Sequence, residues 1–129
     1  MFLPEELLEM FENNGLPRYG YAIYLDNLPS DMVLRTLTVR FKIEFAVVFT
    51  IGKLGYFLYI GDNNSVSLPV DEKEILIKHT HPNGTVFPSI YDIQWLESVQ
   101  DSGSPQIQSV ILPIGHQRIT FNINTPYLG

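Results

Sequence analysis

The stretch EILIKHTH, from Glu74 to His81, constrains the fold of this chain more than any other. It is short and almost continuously apolar, which reads as a buried strand. It ends in two of the chain's three histidines. Side chains two apart on a strand point the same way. His79 and His81 therefore project together from the strand end, just before a Pro-Asn-Gly turn and a helix start.

The flanking segments complete a mixed pattern. Pro4, Glu5 and Glu6 ahead of Leu7, Leu8, Met10 and Phe11 predict a short amphipathic helix ending near Gly15. YGYAIYLDN (Tyr19 to Asn27) has strand composition, and a turn follows over 27–31. The next segment reads as helix or strand. From Thr38 the alternation TVRFKIEF predicts a strand, with Val39, Phe41, Ile43 and Phe45 on one face and Arg40, Lys42 and Glu44 on the other. GKLG then turns the chain into a returning hairpin strand, YFLYIG. DNNS is a polar loop, and VSLPVDEKE, with its proline, is an extended crossing segment. In SIYDIQWLESVQ, Ile90, Ile93, Leu96 and Val99 have helical spacing, and DSGSP ends that helix. IQSVILPI and RITFNI read as two more strands around a Gly115-His116 turn. The expected fold class is α/β (α+β): one domain over residues 1–129, with a central mixed β-sheet flanked by helices.

Composition removes several functions. The hydrophobic share is 45% of 129 residues, enough for a packed core. A net charge of −6 with 8 unclustered Lys and Arg argues against capture of nucleic acid through phosphates. No cysteine is present, so disulfide and thiolate chemistry are excluded. The start MFLPEELLEMFENNG lacks the basic region of a signal peptide. FAVVFTIG is too short to cross a bilayer. A soluble, cytoplasmic protein is expected.

The chemistry concentrates in KHTHPNGTVFPSIYDIQWL, residues 78–96. Asp92 belongs to the first turn of the predicted helix, and the loop from Pro82 to Ser89 can fold that turn back towards the histidines. Two imidazoles and one carboxylate suit a catalytic zinc that keeps its fourth position for water. Each part also has a plainer reading. Pro82-Asn83-Gly84 is an ordinary turn, and Ser89 with Asp92 is a capping-box pair. The joint spacing carries the information.

That spacing resembles the His-x-His-Pro, then Ser-x-x-Asp signature of the JAMM (MPN+) metalloproteases, with ten residues between His81 and Asp92. The Pro-Asn-Gly and Pro-Ser elements look like the RadC branch and the bacterial JAB-like domains. The resemblance is strongest over 78–97 and looser over 44–123. It implies a JAMM/MPN-like, cytidine-deaminase-like fold with its core over 38–123. It implies zinc held by His79, His81 and Asp92, with Ser89 polarising the scissile carbonyl and an upstream glutamate as general base. Glu44 is the candidate base, whereas Glu72 and Glu74 read as solvated. The chain departs from the family in having no early glycine in EFAVVFTIGKLG, and it lacks room for the long substrate-clamping insertions of ubiquitin-cleaving relatives. The implied activity is hydrolysis of a peptide or isopeptide bond, with ubiquitin-like proteins among the substrates, in a prokaryotic protein or a domain of a secreted toxin. The alternatives are an inactive MPN-like binding scaffold and a RadC-like DNA-associated role. His116 reads as an exposed loop residue, Trp95 as core or edge packing, and the tyrosines at 19, 21, 24, 56 and 59 as sheet core and surface.

Overall fold

Apolar runs with no wet side belong in the middle of a sheet, and the two such runs of this chain lie there side by side. The structure, a computed structural model, describes residues 6–14 and 19–127. Along the chain it runs α1 (Glu6–Asn14), β1 (Ala22–Leu25), α2 (Asp31–Phe41), β2 (Phe45–Thr50), β3 (Tyr56–Ile60), β4 (Glu74–His81), α3 (Ile90–Asp101), β5 (Ser109–Pro113) and β6 (Ile119–Phe121). One six-stranded sheet has the order β1-β3-β2-β4-β5-β6. Among the described residues only β4 and β5 pair in parallel. This is the mixed α/β class expected. Pro4, Glu5 and Gly15, assigned to the ends of the first helix, lie outside the described residues. Among the described residues no helix is long and apolar enough to cross a membrane.

Each face of the sheet has its own cover. Leu7 and Phe11 of α1 and Leu34 and Leu37 of α2 bury against Phe45, Val47, Leu58, Ile60 and Leu112. Phe11 meets Phe41 edge-on and stacks on Phe45. On the other face Ile93, Leu96 and Val99 of α3 pack on Ile111 and Phe121. Val66, Leu68 and Trp95 cover Ala46, Val48 and Leu76. The crossing segment over 66–71 thus fills the space α3 leaves open. Asp31, the first residue of α2, pairs with buried Lys78 at 2.8 Å and with Arg118 at 3.0 Å. A lysine enters the interior only when paired, and this one tethers α2 to the sheet.

The strand expected from Thr38 does not form there. Residues up to Phe41 continue α2, and the strand begins at Phe45. Helical spacing prevails because Leu34, Leu37 and Thr38 are buried on one face of α2 while Val39 is exposed. The Ser30 side chain caps the helix start by accepting from Val33 N–H at 3.2 Å. Lys42 ends it in the left-handed conformation, with φ 58°. Glu44 is therefore not on the polar face of a strand. It lies one residue before β2 and is buried.

Candidate metal centre

A break in the strand alternation makes the site. Val47 pairs with Lys78 and Val48 with Leu76, so Ile77 is an extra residue bulged out of β4. Strict alternation would put Leu76 and His79 on opposite faces. With the bulge, Ile77 packs against the α1–α2 cluster, while Leu76 joins the cluster on the opposite face. His79 pairs with Ala46 and Ile111, which belong to that second face. Leu76 lies before the β4–β5 pairing begins at His79, so its main chain needs partners on that side. Buried Gln106 supplies them, its amide bonding both Leu76 N–H and C=O, and the Ser109 hydroxyl adds a second donor.

His79 and His81 then face one point. Their Nε2 atoms are 3.2 Å apart. His79 Nε2 is 3.2 Å from Asp92 Oδ1, and His81 Nε2 is 3.3 Å from Asp92 Oδ2. Donors about 2.0–2.1 Å from a tetrahedral metal stand about 3.3–3.4 Å from one another. The histidine pair has that spacing, and Asp92 meets it with a different oxygen towards each ring. Asp92 also completes the capping box: its Oδ2 accepts from Ser89 N–H at 2.9 Å, while its own N–H donates to Ser89 Oγ at 3.1 Å. Capping and convergence on the histidines coexist in one carboxylate, because the cap fixes its orientation. Burial alone would raise the Asp92 carboxyl, but the neighbouring His79, with His81 and the Ser89 amide, holds it well below the usual range.

The loop supplies a partner that sequence reading missed. His81 Nδ1 lies 2.9 Å from the Thr85 carbonyl. A carbonyl only accepts, so Nδ1 carries the proton and Nε2 of neutral His81 presents its lone pair to the site. Asn83 Oδ1 holds Thr85 in place by accepting from its N–H and hydroxyl. Gly84 has φ +77°, and a Cβ there would fall 2.9 Å from the Ile114 carbonyl oxygen. The Asn-Gly turn was visible in the sequence; its use in orienting a histidine was not. His79 is positioned differently. Its Nδ1 is buried without a hydrogen-bond partner among the described residues, and its ring packs edge-on to Phe121.

Glu44 completes the group by extending the β2–β3 ladder by one residue. Its N–H donates to the Asp62 carbonyl and its carbonyl accepts from Gly61 N–H, both at 2.8 Å. Two residues before Ala46, it shares that residue's face, which is the face of His79. The turn over 61–65 that grips Glu44 requires glycine, since a Cβ on Gly61 would fall 2.2 Å from the Ser65 carbonyl oxygen. Ligand atoms of Glu44, His79 and His81 all lie within 4.8 Å of one another, so this buried group could hold a metal ion. Burial, then the Asp92 and Asp62 charges, push the Glu44 carboxyl up to about 9.

All five residues singled out, Glu44, His79, His81, Ser89 and Asp92, line one cleft of about 250 Å³. Trp95 lines it too, its indole N–H bonded to the Pro69 carbonyl at 3.0 Å. Phe87 and Tyr91 form an exposed wall that the sequence offered no means to identify. His116 is exposed and does not line the cleft. No family model, curated protein or solved structure matches this chain.

Proposed function

We propose that the chain is a zinc-dependent hydrolase of peptide or isopeptide bonds, of the JAMM type its motif resembles. The observation that carries this reading is the convergence of His79, His81 and Asp92 at about 3.2–3.3 Å from one another, with a buried carboxyl beside them. The donor set is two imidazoles and one carboxylate, which fits a catalytic rather than a structural zinc. When bound, such a metal supplies Lewis-acid activation of water and carbonyl.

The chain's own groups have separable tasks. Glu44 accepts a proton from the attacking water as the water oxygen bonds to the carbonyl carbon. It then passes that proton to the departing nitrogen as the C–N bond breaks, leaving a carboxylic acid and an amine. A carboxyl held near 9 is a poor base at neutral pH, but a cation held by the adjacent histidines opposes that rise. Ser89 Oγ already accepts from Asp92 N–H, which leaves its hydroxyl proton free to steady a developing oxyanion. Thr85 orients His81 and the cap orients Asp92, which lowers the reorganisation that metal binding requires.

The test is hydrolysis by zinc-replete protein of internally quenched peptides and of an isopeptide-linked ubiquitin-like conjugate. Cleavage is expected with wild type and is lost in a Glu44→Gln variant that retains its metal. Failure of the metal-replete wild type on both substrate classes overturns the reading.

A further inference from the structure

We infer that the cleft beside the paired histidines receives a large uncharged side chain from a neutral or basic peptide segment, against a wall made by Phe87, Tyr91 and Trp95. The inference rests on the proposed reading only in placing the scissile amide next to that side chain.

Three observations carry it. The first is charge. Among the residues that line the cleft the only carboxylates are Glu44 and Asp92, and neither lysine nor arginine is present. Four of the chain's cations are committed elsewhere: Lys78 and Arg118 to Asp31, Arg40 to Glu12, and Arg35 to the Pro113 carbonyl. Apart from a bound metal, a carboxylate or a phosphate would find no Lys or Arg in the cleft to receive it, and the chain's −6 charge disfavours acidic segments at longer range.

The second observation is the wall. Tyr91 and Trp95 are one helical turn apart and share a face of α3. Tyr91 is 74% and Phe87 43% exposed. Large aromatic surface left in water at the mouth of a cleft gains free energy when a ligand covers it. Trp95 is held still by its bond to Pro69 and is backed by the apolar cluster of Ala46, Val48 and Leu76. The third observation is size. About 250 Å³ falls just below the roughly 300–1,000 Å³ of clefts that hold whole small molecules. It suits one side chain and its backbone.

Trp95 is the chain's single tryptophan, so selectively excited tryptophan emission has one source, and it lines this cleft. The experiment titrates metal-free and zinc-loaded protein with end-capped hexapeptides that differ only in a central Phe, Leu, Gly, Glu or Lys. Phe and Leu peptides are expected to change Trp95 emission saturably and to bind at least about tenfold tighter than Gly or Glu peptides. Tyr91→Ala and Phe87→Ala, both exposed truncations that keep the reporter, are expected to remove most of that preference. Equal binding of all five peptides, or a Phe preference untouched by both variants, overturns the inference. Selective binding together with failure to hydrolyse both peptide and isopeptide substrates upholds the cleft assignment and removes the hydrolase; hydrolysis indifferent to the central side chain does the reverse.

Discussion

The Nε2 atoms of His79 and His81 stand 3.2 Å apart, and each is within 3.3 Å of an oxygen of Asp92. The Thr85 carbonyl accepts from His81 Nδ1–H, so the facing Nε2 of the neutral ring presents a lone pair. Lone pairs and a carboxylate gathered this closely call for a proton or a cation between them.

Metal content is the first consequence. Purified protein equilibrated with zinc and desalted is expected to hold about one zinc per chain, and His81→Ala should lose most of it. Asn83→Ala leaves every ligand in place but frees Thr85, and should weaken affinity by about 10–100-fold. Metal analysis and competition with a chelating dye measure both. Wild-type zinc levels in His81→Ala would rule out the site.

Glu44 makes the metal-free fold sensitive to pH. Its carboxyl ionises near 9 in the fold against an ordinary 4.5. The fold favours the neutral form, so the stability this group contributes is whole below pH 4.5 and is lost as pH rises through about 9. Glu44→Gln removes that dependence. Its Tm should exceed that of metal-free wild type by a margin that grows from pH 5 to pH 9, and zinc should shrink the margin. Asp92 acts oppositely, its contribution being present above pH 3.8 and lost as pH falls below that value. A Tm difference that stays constant between pH 5 and 9 counts against the burial of Glu44.

Ser89 has a capping role and a proposed catalytic one, which two substitutions separate. Ser89→Ala removes the cap and should cost about 1 kcal/mol. Ser89→Gly keeps most of the cap's stability, so urea midpoints should largely recover. Turnover should stay low in both, because neither places a side-chain donor in the cleft. Recovery of turnover in the Gly variant would show that capping alone matters.

Lys42 occupies left-handed backbone at the end of α2, two residues before Glu44. Lys42→Gly should relieve the steric cost of its Cβ there and stabilise the protein by about 0.5–1 kcal/mol. Urea denaturation measures the gain; a loss of stability of that size would contradict the assigned conformation.

Local periodicities made much of the site legible. The apolar run of β4, the shared direction of His79 and His81, and the Ser89–Asp92 pairing at a helix start all lie within twenty residues and obey fixed backbone repeats. The alternation over Thr38 to Phe45 misled because Thr-Val-Arg-Phe fits a strand as readily as the end of a helix. Burial of Leu34, Leu37 and Thr38 against the sheet decided it.

The sequence by itself determined that a strand ending in paired imidazoles runs into a helix headed by a carboxylate. Those relationships depend on bond geometry and on neighbours a few residues away. Tertiary structure alone decided that Ile77 bulges so that Leu76 and His79 share a face, that Gly61 and Asp62 grip Glu44, and that Phe87, Tyr91 and Trp95 wall the cleft. These are set by contacts between segments far apart in the chain. Pairing register and burial choose among conformations that local sequence leaves nearly equal in energy.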